Sequence, residues 1–124
     1  MQNIFKIKRL NNRTIRYVWQ ERECFFLIED FIIALTDFDP PHLYWWSLKA
    51  HIIRSKLQEM QSKWSLLKII EVKIEKKYCD YTNREGLFVL LKYCQTDKTE
   101  LMIEWLNSLD LTACFECQTE QKKI

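Results

Sequence analysis

The chain has 124 residues, 48% of them apolar and 14% aromatic, with 19 basic and 17 acidic side chains and a formal net charge of +2. This length and apolar content predict one globular domain whose core needs no disulfides. The five cysteines are an odd number without framework spacing, which argues against a secreted disulfide scaffold. The apolar runs are short and the N-terminus lacks a signal-peptide core, so we expect a cytoplasmic protein with no membrane partner.

Charge is distributed unevenly along the chain. Residues 1–77 carry 14 basic and 9 acidic side chains, a balance of +5, whereas residues 78–124 carry 5 and 8, a balance of −3. The first twenty residues contain five basic side chains and no acid. A local basic surface attracts phosphate even when the whole protein is nearly neutral, although a run this short is equally consistent with a solvated face.

The N-terminal part predicts β-strands. Residues 4–10 and 14–20 alternate apolar and polar positions around the turn formers Asn11 and Asn12, and residues 24–28 complete an antiparallel hairpin. In the second strand Ile15, Tyr17 and Trp19 share one face, opposite Arg16 and Val18. At Glu29 the apolar period changes to that of a short helix, which ends before the turn at residues 37–41.

A second helix is predicted to begin at Pro40 or Pro41, because proline is tolerated in a first helical turn, and to run toward Leu57. Residues 58–65 continue as helix or become a loop. Residues 66–82 are rich in β-branched side chains and predict a strand or a strand pair, and residues 84–94 and 99–111 predict two further helices, the last with core spacing at Leu101, Trp105 and Leu109.

These elements predict an α+β fold in which a small antiparallel sheet, built from the N-terminal hairpin and the middle strand pair, packs against about four helices. The domain is expected to span residues 1–111. Residues 112–124 show no clear period and are interpreted as a weakly ordered or protein-specific tail.

The sequence contains no recognisable catalytic or metal-binding motif. The two histidines, His42 and His51, have no metal-ligand spacing, and Cys114 and Cys117 lack the second pair of ligands that zinc needs. The single glycine, Gly86, excludes a glycine-rich phosphate loop. We therefore expect no enzyme, no cofactor and no metal.

Basic and aromatic residues offer two kinds of binding surface. Phosphate contacts of a nucleic acid are the first hypothesis, made by residues of the N-terminal strands and the second helix: Lys6, Lys8, Arg9, Arg13, Arg16, Lys49, Arg54 and Lys56. The first residues of that helix are poor base readers, which weakens a helix-turn-helix assignment. The second hypothesis is a protein interface anchored by Tyr44 and Trp45, although aromatic residues at such spacing most often belong to a core.

The order of several short motifs resembles the Bro-N domain, the N-terminal module of baculoviral BRO proteins and of many phage antirepressors. In chain order the motifs are I-R-x-V-W at residues 15–19, an aromatic strand at 24–30, L-T-D at 35–37, Y-W-x-x-L-K at 44–49, D-x-x-x-x-E-G-L-x-x-L at 80–90 and E-x-x-x-x-W-L at 100–106. The resemblance implies an α+β fold and a structural role for Gly86, because the family keeps an E-G pair at the start of a helix.

Two functions follow from these observations. The first is a non-enzymatic regulatory protein of phage, prophage or viral type that binds duplex DNA through its basic surface. The alternative is an antirepressor-type inhibitor that binds a repressor or another host protein and acts as a homodimer or higher oligomer. An exposed aromatic surface near Tyr44 and Trp45 favours the alternative, and a continuous basic face favours DNA.

Overall fold

A computed structural model describes residues 3–7, 13–58 and 68–109. In this part of the chain an antiparallel sheet packs with helices, which confirms the predicted α+β fold. The elements are β1 Asn3–Ile7, β2 Arg13–Gln20, β3 Glu23–Leu27, α1 Ile28–Thr36, α2 Pro41–Gln58, β4 Ile69–Ile74, β5 Lys77–Thr82, α3 Arg84–Tyr93 and α4 Thr99–Ser108. Residues 66–82 thus contain a strand pair, and the predicted tail 112–124 lies outside the described residues.

The sheet has the strand order β1-β2-β3-β5-β4, with every neighbouring pair antiparallel. The N-terminal hairpin and the middle strand pair therefore join through β3 and β5, where Phe26 lies opposite Thr82 and Leu27 opposite Tyr81. This contact brings residues separated by more than fifty positions in sequence into one sheet, and it places β4 at an edge of the sheet.

The period-2 pattern of the strands sorts their side chains onto two faces. On β2, Ile15 and Tyr17 are buried in the main core cluster together with Cys24 and Phe26 of β3. The intervening residues of β3, which include Phe25, form a second buried cluster with Tyr81 on the opposite side of the sheet. Alternation read from the sequence therefore groups Ile15 and Tyr17 correctly on one face of β2, and the structure shows that this face lies on the main core.

The helices complete the main core from one side. Helix α1 follows β3 without a connecting loop and buries Phe31, Ile32 and Leu35. In α4 the fully buried residues are Met102 and Leu106, whereas Leu101, Trp105 and Leu109, predicted to face the core, are partly buried at its border. The apolar face of a helix is about 100° wide, so it includes the row of Met102 and Leu106 together with the adjacent row of Leu101 and Trp105, and the structure centres burial on the first row.

The turn between β2 and β3 has an unusual composition. Glu21 and Arg22 both adopt positive φ angles, 53° and 62°, and both side chains are exposed. Two consecutive residues with positive φ between paired antiparallel strands define a type I′ turn, which favours Asn followed by Gly because other residues place Cβ near the following carbonyl oxygen. The turn is therefore strained by its own sequence.

We expect the double substitution Glu21→Asn and Arg22→Gly to stabilise the protein by about 1 kcal/mol, or roughly 4 °C in Tm, because it removes that strain. Thermal unfolding followed by far-UV circular dichroism measures the shift. The matched control, Glu21→Ala with Arg22→Ala, removes the same charges but keeps a Cβ atom at both positive-φ positions. Its Tm should therefore be equal to or lower than that of wild type. Equal stabilisation by both variants would assign the effect to charge.

Candidate functional site

Helix α2 is the longest helix in the described part of the chain, with 18 residues from Pro41 to Gln58. Its first residue is one of the two prolines, as a fixed φ and a missing N–H allow at a helix start. One face packs into the core through Trp45, Leu48 and Ile52, whose exposed fractions are 1%, 8% and 1%. This burial fixes which residues of α2 point outward.

The outward face of α2 is also apolar. Leu43, Trp46 and Ile53 are 50%, 64% and 51% exposed, and Ala50 between them is exposed as well. Their spacing of three, four and three residues aligns them along one side of the helix. We call these four residues the α2 stripe. A helix with apolar residues on two faces leaves one of them available to another molecule.

The two adjacent tryptophans have opposite environments. The indole of Trp45, named in the sequence as an interface anchor, lies in the core and donates its Nε1–H to Asp80 Oδ2 at 2.8 Å, so it is not accessible to a partner. Lys49 Nζ donates to the same carboxylate oxygen at 2.9 Å and lies 5.9 Å from the Trp45 ring centroid. Asp80 thus ties α2 to β5, and Trp46 is the tryptophan at the surface.

Tyr44, the other predicted anchor, is half-buried. Its hydroxyl and the buried Cys94 thiol share a hydrogen bond with a length of 2.7 Å. This contact, together with burial, raises the pKa of Tyr44 to about 12, so the phenol stays neutral at physiological pH. Its ring packs 5.5 Å from that of Phe38, which is 46% exposed. The aromatic surface near Tyr44 is therefore partly exposed and extends toward the turn before α2.

Two clefts flank the α2 stripe. The first, with a volume of about 400 Å³, lies between α2 and the β4–β5 hairpin and mixes acids, bases and aromatic rings: Glu29, His42, Trp45, Trp46, Lys49, Glu71, Lys77, Tyr78 and Asp80. The second, with a volume of about 380 Å³, lies on the other side and contains no acid; it is lined by Tyr44, Ser47, Leu48, His51 and Arg54. The stripe and both clefts form the candidate site.

The predicted phosphate-binding residues of β2 lie in ion pairs. The Arg16 guanidinium donates to both oxygens of Asp30 at 2.8 Å, and the Arg16 backbone N–H donates to Oδ2 at 2.9 Å. This bidentate contact raises the pKa of Arg16, whereas burial opposes that shift. Arg16 therefore serves to join β2 to the first turn of α1, where a carboxylate also complements the helix dipole.

Arg13 has a similar role at the other end of α1. Asp37, the residue that ends this helix, has a positive φ of 59° and accepts hydrogen bonds from Lys98 and, at 2.8 Å, from Arg13. These two cations, Lys98 first, lower the pKa of the Asp37 carboxyl below its ordinary value. The charge of Arg13 is thus shared with an acid twenty-four residues away.

Low pH should weaken the hydrogen bonds that Asp37 accepts from Lys98 and Arg13. Because the pKa of Asp37 is lower in the folded than in the unfolded state, its contribution to stability is fully present above about pH 4 and is lost as pH falls through the folded value. Thermal unfolding is measured from about pH 7 to about pH 2.5 for both proteins. The Tm of wild type should be higher than that of Asp37→Asn at neutral pH, and the difference in Tm should decrease below about pH 4. Asn tolerates the left-handed backbone, so this variant isolates the charge. A gap that is constant with pH would contradict the assignment.

Arg54 differs from Arg13, Arg16 and Lys49, the other predicted cations whose side chains are described. Its side chain is exposed and forms no ion pair with any residue in the described ranges. The side chains of Lys6 and Lys56, and residues Lys8 and Arg9 entirely, lie outside the described part of the structure. Among the predicted cations with described side chains, Arg13, Arg16 and Lys49 are each paired with an acid.

The described residues contain neither a metal-ligand cluster nor a membrane-spanning helix. Within residues 3–7, 13–58 and 68–109, no three or more His, Cys, Asp or Glu side chains lie together as metal ligands. No helix in these ranges has the length and apolar content to span a membrane. The Cys114 and Cys117 pair lies outside the described residues.

Comparison with known proteins gives no match among family models, curated proteins or solved structures.

Sequence reasoning had missed Trp46 and Ile53 as surface residues. Adjacent residues on a helix lie 100° apart, so the pattern W-W predicts that one tryptophan is more exposed without saying which. The signal that identifies it is the set of buried positions Trp45, Leu48 and Ile52, which only packing against the sheet and α1 selects.

Proposed function

We propose that this chain is a non-enzymatic regulatory module that binds another protein through the α2 stripe, in the manner of an antirepressor. The observation that carries the proposal is the exposure of Trp46 and Ile53 on a helix whose opposite face is fully buried. Exposed tryptophan on a rigid element is typical of an interface anchor, because it offers a large apolar area with little side-chain entropy to lose.

The surroundings of the α2 stripe support the same function. Leu43 and Ala50 extend the apolar surface along about three turns of α2, and polar side chains border it in both clefts. An apolar centre with a polar rim is the usual anatomy of a protein interface. The motif order that resembles the Bro-N domain agrees with this function, since phage members of that family act on repressor proteins.

DNA binding through a basic surface is the second candidate, and it is favoured by the exposed guanidinium of Arg54, which is unpaired in the part of the chain that the structure describes. The β4–β5 hairpin adds the exposed cations Lys73, Lys76 and Lys77, of which Lys77 lines the first cleft. Phosphate contacts by these residues would give an affinity that falls steeply with salt.

Site-specific photo-crosslinking in the native host cell tests the proposal. A photoreactive benzoyl-phenylalanine is placed at Trp46 or Ile53, and the matched control places it at Lys92, which is exposed on α3. We expect one discrete crosslinked protein from both stripe positions and none from the control, since only the stripe would lie in the interface.

The competing function has its own measurement. Anisotropy of a labelled duplex titrated with the protein at about 50 and about 200 mM salt reports phosphate contacts. Salt-sensitive DNA binding that Arg54→Glu abolishes, combined with no crosslink at Trp46 or Ile53, would overturn the protein-binding proposal and favour the second candidate.

A further inference from the structure

The charge of α2 is one-sided. From Pro41 to Gln58 the helix contains Lys, Arg and His side chains but no Asp or Glu. Lys49 is neutralised by Asp80 on the buried side. On the exposed side, Ser47, His51 and Arg54 follow one another at spacings of four and three residues and therefore line one side of the helix, directly beside the α2 stripe.

The second cleft is suited to an anionic group. Its lining includes the hydroxyl of Ser47, the imidazole of His51 and the guanidinium of Arg54, which has no ion-pair partner among the described residues, and the lining contains no carboxylate. The His51 ring packs at 5.7 Å, edge to face, on Tyr93, which orients it. The Tyr44 hydroxyl is engaged by Cys94 and stays neutral, so it does not repel an anion. Arg54 is the group that gives this cleft its charge.

We propose that the partner of the α2 stripe is an acidic amphipathic helix of another protein. Its apolar residues would cover Leu43, Trp46 and Ile53, and a carboxylate on its flank would accept hydrogen bonds from the Arg54 guanidinium. This inference rests on the proposed function and adds the chemistry of the partner. Arg is suited to the role because its planar donors match a carboxylate in bidentate geometry.

Other occupants fit the surface less well. A second copy of this chain, paired through α2 about a twofold axis, would bring two basic helices together without an acid from either one. A nucleic-acid backbone would satisfy Arg54 but would leave the apolar area of Trp46 and Ile53 in water. An acidic amphipathic helix satisfies both the stripe and the cleft.

Two designed peptides test the proposal with the intact chain. Both are 18-residue amphipathic helices with the same leucine stripe, one carrying Glu and the other Lys on its flanks, each labelled for fluorescence anisotropy. We expect the acidic probe to bind at least about tenfold more tightly than the basic one, a difference of about 1.4 kcal/mol. Trp46→Ala should weaken the acidic probe about tenfold or more, and Arg54→Glu should remove or reverse the charge preference. Lys92→Glu on α3 changes net charge equally and should leave the preference intact.

The outcomes separate this inference from the proposed function. Equal binding of the two probes, or loss of preference in Lys92→Glu as large as in Arg54→Glu, would overturn the acidic partner. If neither probe binds while Trp46 still crosslinks to a host protein, the partner has a different chemistry and the protein-binding function stands. A dimer in sedimentation that Trp46→Ala dissociates would identify a second copy as the occupant, and binding to duplex DNA in preference to the acidic probe would identify phosphate as the ligand. Both results would overturn the inference.

Discussion

Gly86→Ala is expected to lower the free energy of unfolding by about 3 kcal/mol, because no room exists for a methyl group at this position. Gly86 is buried in the first turn of α3, and a Cβ atom there would lie 1.8 Å from Thr82 Oγ1. Thr82 is fully buried at the end of β5 and donates a hydrogen bond to the Lys68 carbonyl oxygen at 2.6 Å, so it cannot rotate away without losing this contact.

The expected destabilisation by Gly86→Ala is opposite to the effect that helix propensity predicts. Helix propensity alone predicts that Ala in place of Gly stabilises a helix by up to about 1 kcal/mol. The backbone of Gly86 does not need glycine for its own conformation: its φ is not positive, and its N–H donates to the Asn83 side chain at 2.9 Å in an ordinary N-cap. Destabilisation would therefore measure the close approach of α3 to β5 rather than any local preference of the helix.

Urea unfolding followed by circular dichroism measures the effect, and Thr82→Ala provides its internal test. Removing Oγ1 eliminates the closest contact, so Gly86→Ala should cost at least about 1 kcal/mol less in the Thr82→Ala background than in wild type. Glu85→Ala, at the exposed neighbouring position of α3, is the matched control and should change stability by less than about 0.5 kcal/mol. A Gly86→Ala protein as stable as wild type would show that the helix and the strand are not in this contact.

The sequence predicted those parts of the structure that depend on local pattern. Alternation identified β2 and placed Ile15 and Tyr17 on one face, and proline position limited the start of α2 to Pro40 or Pro41, of which the structure has Pro41. The strand pair within residues 66–82 was confirmed: a run of β-branched residues in β4 and a run with two tyrosines and a threonine in β5 flank a short polar turn, a pattern typical of a hairpin.

The acidic partners of the predicted phosphate-binding cations could not be predicted from local sequence pattern. Arg16 and Lys49 looked like phosphate-binding cations, yet their acids, Asp30 and Asp80, lie 14 and 31 residues further along the chain. Residues so far apart in sequence pair only when strands and helices pack together, so the spacing of charged residues along the chain does not predict the pair. Arg54 remains unpaired among the described residues, and the sequence alone did not distinguish it from the others.

Asp80→Ala is expected to destabilise the protein by about 2 to 3 kcal/mol, because it removes the acceptor of two donors at once. The side chain of Asp80 is only 15% exposed, and the same Oδ2 atom accepts from Trp45 Nε1 and Lys49 Nζ. Without it the indole N–H remains in the core with no partner, and the ammonium of Lys49 loses its counterion beside the aromatic ring.

The contribution of the indole can be separated from that of the charge. Asp80→Asn keeps an oxygen that can accept from the Trp45 N–H, so it should lower the free energy of unfolding less than Asp80→Ala does. In a Trp45→Phe background, the destabilisation by Asp80→Ala should be smaller by at least about 1 kcal/mol. Stability is again measured by urea unfolding with Glu85→Ala as the control. An Asp80→Ala variant no less stable than that control would mean that the carboxylate does not hold α2.

Asp80 also links the core to the proposed interface. Trp45 and Trp46 are neighbours on α2, so the hydrogen bond that fixes the buried indole also fixes the rotation of the helix that presents Trp46 to solvent. At a temperature where Asp80→Ala remains folded, we therefore expect weaker crosslinking from Trp46, although no atom of the α2 stripe has changed. Unchanged crosslinking in a folded Asp80→Ala protein would show that burial of Trp45, Leu48 and Ile52 alone orients the stripe.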